Sequence, residues 1–179
     1  RFEKGGGGIL ESTSSEAHEI PAAGGTYALL LACPRSRKLR IGRLGDRRVP
    51  RGWYIYVGSA FGPGGLKSRC LHHLRTLQRL HWHIDYLRPA VSLEGVWFSA
   101  DPVQREHLWA EMAGGLPGAG IPIPRFGASD CRCRSHLFHF ASKPVFATFR
   151  RRVLRRGAAP VAVMVFSAAA PRQALRDAL

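Results

Sequence analysis

Acidic residues are scarce in this chain. Its 179 residues hold 12 Asp and Glu against 27 Lys and Arg, a formal charge of +15. The isoelectric point is near 11.1. That imbalance favours a polyanionic partner, most often nucleic acid. A GC-rich coding bias, visible as few lysines among many Arg, Ala and Gly residues, is the competing explanation of the charge. Long apolar runs are missing too. No stretch reaches the length of a membrane span, and no basic amphipathic helix with a broad aromatic face marks a membrane-surface protein. Cysteine is confined to positions 33, 70, 131 and 133, with spacings unlike a disulfide framework, so a reducing cytoplasm is expected. No internal repeat is visible.

What is present is a core. Apolar residues make up 45% of the chain, enough for one domain of common size with a tail or two. Residues 1–24 carry GGGG, ESTSSE and PAAGG and are expected to be a disordered lead-in. TYALLLA from Thr26 reads as a buried strand. Between Arg35 and Arg51 lie eight basic residues and one acid, expected to form an extended, solvated hairpin. WYIYVGSA is the next strand, closed by the FGPGG turn. Leu66, Cys70, Leu71, Leu74, Leu77 and Leu80 then form an apolar stripe at helical spacing. HWHIDYLRPA is a short helix or turn ending near Pro89. SLEGVWFSA is a third strand, PVQREHLWAEMA a helix opened by Pro102, and SHLFHF a last strand. Residues 143–179 are expected to be a basic tail, partly helical or disordered. The fold class is α+β.

Three features carry chemistry. Arg69 and His73 stand four apart, on one helix face, where an arginine can clamp a phosphate with two parallel hydrogen bonds. Glu106 falls within the apolar arc of the helix after Pro102, where a carboxylate is costly unless paired or bound to metal. Its partner is then Arg105 or another cation, or a hydrated Mg²⁺ that needs few protein ligands. Tyr54 and Tyr56 share one face of their strand, and Tyr27 belongs to the first.

In order, Gly25-Thr26-Tyr27, Tyr56-Val57-Gly58, Arg69 with His73, and Glu106, with HWHIDYL between, resemble the GIY-YIG nuclease superfamily. The longer runs GTYALLL, YVGSA and FGASDCRCRSHLF are similar to an uncharacterised stand-alone branch of it. The resemblance covers about residues 25–140, so a domain over 25–142 is expected. It implies a small three-stranded antiparallel sheet flanked by helices, carrying a one-metal phosphodiesterase site. It matches Tyr27, Tyr56 and Gly58 to the two tyrosine motifs, Arg69 to the catalytic arginine, His73 to a supporting position and Glu106 to the ligand of Mg²⁺ (or Mn²⁺). His81 or His83 would fill a further histidine position. The segment between the two tyrosine motifs is far longer than in the family. An asparagine that often follows the glutamate is missing, since the chain contains no Asn; Ser129 or Asp130 stands in for it.

The resemblance thus implies a Mg²⁺-dependent endonuclease acting on DNA, in repair or processing. Either Tyr27 or His73 would serve as base, with Arg69 or the metal lowering the tyrosine's pKa. Arg35, Arg37, Lys38, Arg40, Arg47, Arg48 and Arg51 would hold the nucleic-acid backbone. The rival reading is a non-catalytic binding module, with those residues on the backbone and Trp53, Trp82 or Trp97 stacked on bases. Cys131, Cys133 and His136 have the chemistry of a zinc site, with Asp130, His139, His81 and His83 in reserve, but the edge of a buried terminal strand is favoured there. Asp85 is expected to be structural.

Overall fold

The computed structural model describes residues 20–75 and 79–165. Three strands form the heart of an antiparallel sheet: β1 (Thr26–Cys33), β4 (Gly52–Ser59) and β5 (Ser92–Ser99). Two short strands, β6 (Leu137–Phe140) beside β4 and β7 (Ala162–Val165) beside β5, extend it to five in the order β6-β4-β1-β5-β7. The α+β antiparallel architecture is thus as the sequence implies, with two edge strands added.

Side chains alternate across the sheet as a strand period of two requires. Tyr27, Leu29, Leu31, Tyr54, Tyr56, Val96 and Phe98 point to one face. There they meet Leu66 and Cys70 of α1 (Gly65–Leu74) and Ile84 and Leu87 of α2 (His83–Leu87). Ala28, Leu30, Ile55, Val57 and Trp97 point to the other face. They meet Trp109 and Met112 of α3 (Glu106–Gly114) and Phe149 and Val153 of α4 (Phe146–Leu154). Both faces are covered, which is why the strands read as nearly continuous apolar runs.

Four sequence expectations need adjustment. The helix from Leu66 stops at Leu74, where Arg75 turns extended; Leu80 is exposed, and Leu77 lies outside the described residues. His73, one turn before Leu77, takes the buried place on the stripe instead. The helix after Pro102 starts at Glu106, because the Asp101 carboxylate accepts the Val103 N–H and Thr26 Oγ1 accepts the Arg105 N–H. Val103 is therefore exposed rather than part of an apolar arc. Residues 143–165 are no mere tail: α4 covers the second face and β7 pairs with β5. The expected lead-in lies largely outside the described residues. Within it Ile20 is buried, and the carbonyls of Pro21 and Ala23 accept the N–H groups of Lys67 and Leu66.

The basic segment forms a separate two-stranded sheet, β2 (Arg37–Arg40) with β3 (Asp46–Val49). Ile41 and Val49 are buried in the same core cluster as α1 and α2, and Leu39 and Leu44 pack against it. Arg35, Arg37, Lys38, Arg40, Arg47, Arg48 and Arg51 are all exposed. Among the described residues, no helix is long and apolar enough to cross a membrane.

Candidate active site

The site is built where β1 begins and β4 ends. Antiparallel register sets Tyr27 opposite Gly58. A side chain there would not fit: a Cβ on Gly58 would stand 2.5 Å from the Tyr27 hydroxyl oxygen. The glycine of Tyr-Val-Gly thus provides the room in which the Tyr27 phenol lies. Changing Gly58 to alanine is expected to force that buried ring aside, costing about 1–3 kcal/mol of stability by overpacking. A chemical-denaturation midpoint equal to the parent's would refute this account of the motif.

Tyr27, Tyr56, Gly58, Ser59, Arg69, His81, Trp82, His83, Glu106, Gly127, Ser129 and Asp130 line one cleft of about 410 Å³. The tyrosines, arginine and glutamate picked out in the sequence therefore converge, and Ser129 and Asp130 join them. The Tyr27 hydroxyl lies 2.8 Å from His73 Nε2. Burial, then Tyr56, holds Tyr27 well above the ordinary tyrosine value, and Arg69 pulls the other way without prevailing. The expectation that Arg69 would lower this pKa is thus right in sign and outweighed by desolvation. Tyr56 is likewise pushed up, by burial first and then Glu106.

His73 is pushed down instead. Burial, with His72, Arg88 and Arg69 adding, holds it well below the ordinary 6.5, so its ring is neutral at pH 7. The unfolded chain binds this proton below about pH 6.5 while the folded chain resists it, so the stability is full above that pH and is lost progressively as pH falls from there toward the folded chain's lower value. Urea midpoints measured from pH 7.5 down to 5 should fall. They should fall less in a His73→Gln variant, and equal slopes in the two proteins would remove His73 as the cause.

Glu106 opens α3, where the positive end of the helix dipole favours a carboxylate. Ser59 Oγ donates to its Oε2 at 2.7 Å, and Gln104 Nε2 reaches both groups. His136 Nδ1 lies 3.0 Å from Oε1, at ion-pair distance though off the line of a hydrogen bond. Burial raises the carboxyl's pKa, but the contacts with His136, Ser59 and Gln104 outweigh it and leave it below 4.5. The partner is not Arg105, which pairs with Asp101 at 3.0 Å.

Arg69 stacks its guanidinium 4.1 Å over the Trp82 ring, and no carboxylate among the described residues pairs with it. Trp82 therefore supports Arg69. Trp97 is buried in the second face and is out of reach of any base, while Trp53 is half-buried under Lys143. His83 Nδ1 accepts the Gly127 N–H at 2.9 Å and fixes the loop on the far wall; His81 is exposed at the rim. Asp85 is structural, as expected: it accepts the backbone N–H groups of His81 and Trp82 at the start of α2.

Among the described residues, two groups of side chains have the chemistry and spacing to hold a metal ion, His107 with Cys131, Cys133 and His136, and His72 with His73 and Asp85. In the second, Asp85 already caps α2 and His73 already meets Tyr27. Sequence reasoning missed Ser59, although it directly follows Tyr-Val-Gly, and missed His107, which directly follows Glu106. It also missed the contact of His136 with Glu106, which no local spacing announces.

Fold and cleft define an α+β domain with a polar, arginine-bearing hollow at the end of its central strands. Residues 26–157 match a family described as domain of unknown function DUF123, and the chain belongs to that family. No curated protein and no solved structure matches it.

Proposed function

We propose that this domain is a metal-dependent endonuclease of GIY-YIG type that hydrolyses phosphodiester bonds in DNA, in a cytoplasmic repair or processing role. The observation that carries the reading is the convergence of Tyr27, Tyr56, Arg69 and Glu106 on one cleft. The residues fit a hard divalent cation. Glu106 is ionised and held by neighbours, Asp130 lines the same hollow, and Mg²⁺ needs only one or two carboxylates besides its waters. Glu106 would hold Mg²⁺ (or Mn²⁺), which when bound supplies charge neutralisation at the phosphate and the leaving 3′ oxygen.

The protein's own groups do the rest. Arg69, its plane steadied by Trp82, grips the phosphate oxygens and stabilises the charge that grows on them. Tyr27 is too weak an acid to stand as a phenolate alone, but neutral His73 is 2.8 Å away. A proton leaving the attacking water passes to the Tyr27 oxygen while the phenol's own proton passes to His73 Nε2. There the negative charge of a bound phosphate offsets the burial and the Arg88 and Arg69 charges that disfavour the imidazolium. Tyr56 orients water or phosphate. Labelled single-stranded, duplex and branched oligonucleotides incubated with Mg²⁺ or with EDTA test the activity. Cleavage of one class in Mg²⁺ and none in EDTA is expected; no cleavage of any class sinks the reading.

The exposed basic hairpin favours a second reading, a module that binds nucleic acid without cutting it. Replacing Arg37, Lys38, Arg47 and Arg48 with alanine should weaken binding and flatten its salt dependence by roughly 0.9 per lost phosphate contact on a logarithmic scale. On the nuclease reading the cleavage rate at saturating substrate is unchanged in that variant.

A further inference from the structure

The segment between α3 and β6 runs from Gly115 to His136 with no helix or paired strand of its own beyond one isolated bridge at Gly120. A stretch of that length inside a compact domain needs something to fix it. Cys131 and Cys133 lie in this loop, ahead of β6, so they are not edge residues of a terminal strand. His136 closes the loop, and His107 comes to meet it from the first turn of α3.

The donor atoms of these four residues all lie within 4.8 Å of one another. His107 Nδ1 is 3.2 Å from Cys133 Sγ, and Cys131 Sγ is 3.5 Å from His136 Nε2. Zinc bonds of about 2.3 Å to sulfur and 2.0 Å to nitrogen at a tetrahedral angle put those atoms about 3.5 Å apart. Two thiolates and two imidazoles are also the donor set that selects zinc over magnesium or calcium. We propose that His107, Cys131, Cys133 and His136 form a closed, tetrahedral zinc site. It ties the α3–β6 loop to the start of α3.

The site reaches the cleft through one ring. With Nε2 of His136 on zinc, its proton must sit on Nδ1, the atom 3.0 Å from Glu106 Oε1. A metal on one nitrogen fixes the tautomer and leaves the N–H on the nitrogen that faces the carboxylate. Zinc therefore positions His136, and His136 positions Glu106. This last link rests on the nuclease reading; the zinc site itself does not.

Metal analysis of the purified chain, with no zinc added to the buffers, is expected to find about one zinc per chain. The Cys131→Ser, Cys133→Ser double variant should lose it. His107→Ala, altered on an exposed helix face, should bind zinc at least about 10-fold more weakly. Because the cysteine variant risks misfolding, Co²⁺ exchanged into the parent gives an independent readout, the intense visible bands of a tetrahedral cobalt–thiolate centre. Three results overturn the site: zinc absent from the parent with no cobalt–thiolate spectrum, zinc kept at unit stoichiometry by the double variant, or a Cys131–Cys133 disulfide in place of metal. A zinc-free chain that still cuts DNA removes this inference and leaves the nuclease. A zinc-bound chain that cuts nothing does the reverse.

Discussion

On the nuclease reading, a Glu106→Gln variant should lose DNA cleavage by roughly 10³-fold or more while still folding and still binding substrate. The substitution keeps the shape of the side chain and an oxygen for Ser59 Oγ to donate to, so the start of α3 stays anchored to the end of β4. What disappears is the negative charge that Ser59, Gln104 and His136 hold in the cleft. Single-turnover cleavage in Mg²⁺, alongside a binding isotherm in EDTA, separates the two effects. Parental cleavage by the variant would mean that the carboxylate takes no part in the chemistry. Weakened binding with unchanged turnover would make Glu106 a scaffold residue.

The second large effect falls outside the cleft. Phe149→Ala should cost about 3–5 kcal/mol of stability, the range for emptying a buried aromatic site. Phe149 is fully buried, its ring centre 4.9 Å from that of Trp97 and 5.2 Å from that of Trp109. The cavity would open between the sheet and the two helices on its second face. Urea unfolding monitored by tryptophan fluorescence reads the loss directly. A midpoint within error of the parent's would mean that α4 is dispensable and that the domain ends near residue 142 after all.

The contrast between these two side chains explains what could be read from sequence. Tyr27, Tyr56, Gly58, Arg69, His73 and Glu106 announce themselves because each stands on a regular element at a spacing that fixes its direction. The strand period aims the tyrosines to one face, and the helical period puts His73 one turn past Arg69. Phe149 and Val153 have a helical spacing too, but they are embedded in FRRRVLRR, where exposed Arg150, Arg151 and Arg155 dominate the composition. Charge hid a core face. Loop residues are harder still: His136 and Glu106 are thirty positions apart, and only the folded α3–β6 segment brings imidazole to carboxylate. His107 directly follows Glu106 in the sequence, yet its place beside Cys133 follows from the path of a loop that has no period to read.

Strand β1 occupies the middle of the sheet, with Thr26 paired to Ser59 on one side and to Ser99 on the other. Among the described strands TYALLLAC is made earliest and is among the last to be sheltered, since its second neighbour is made more than fifty residues later. Pairings of such wide separation close slowly, and a bare apolar strand that waits for them is an invitation to intermolecular pairing. Refolding yield should fall steeply with protein concentration, and chaperones that clasp extended apolar segments will find their substrate here.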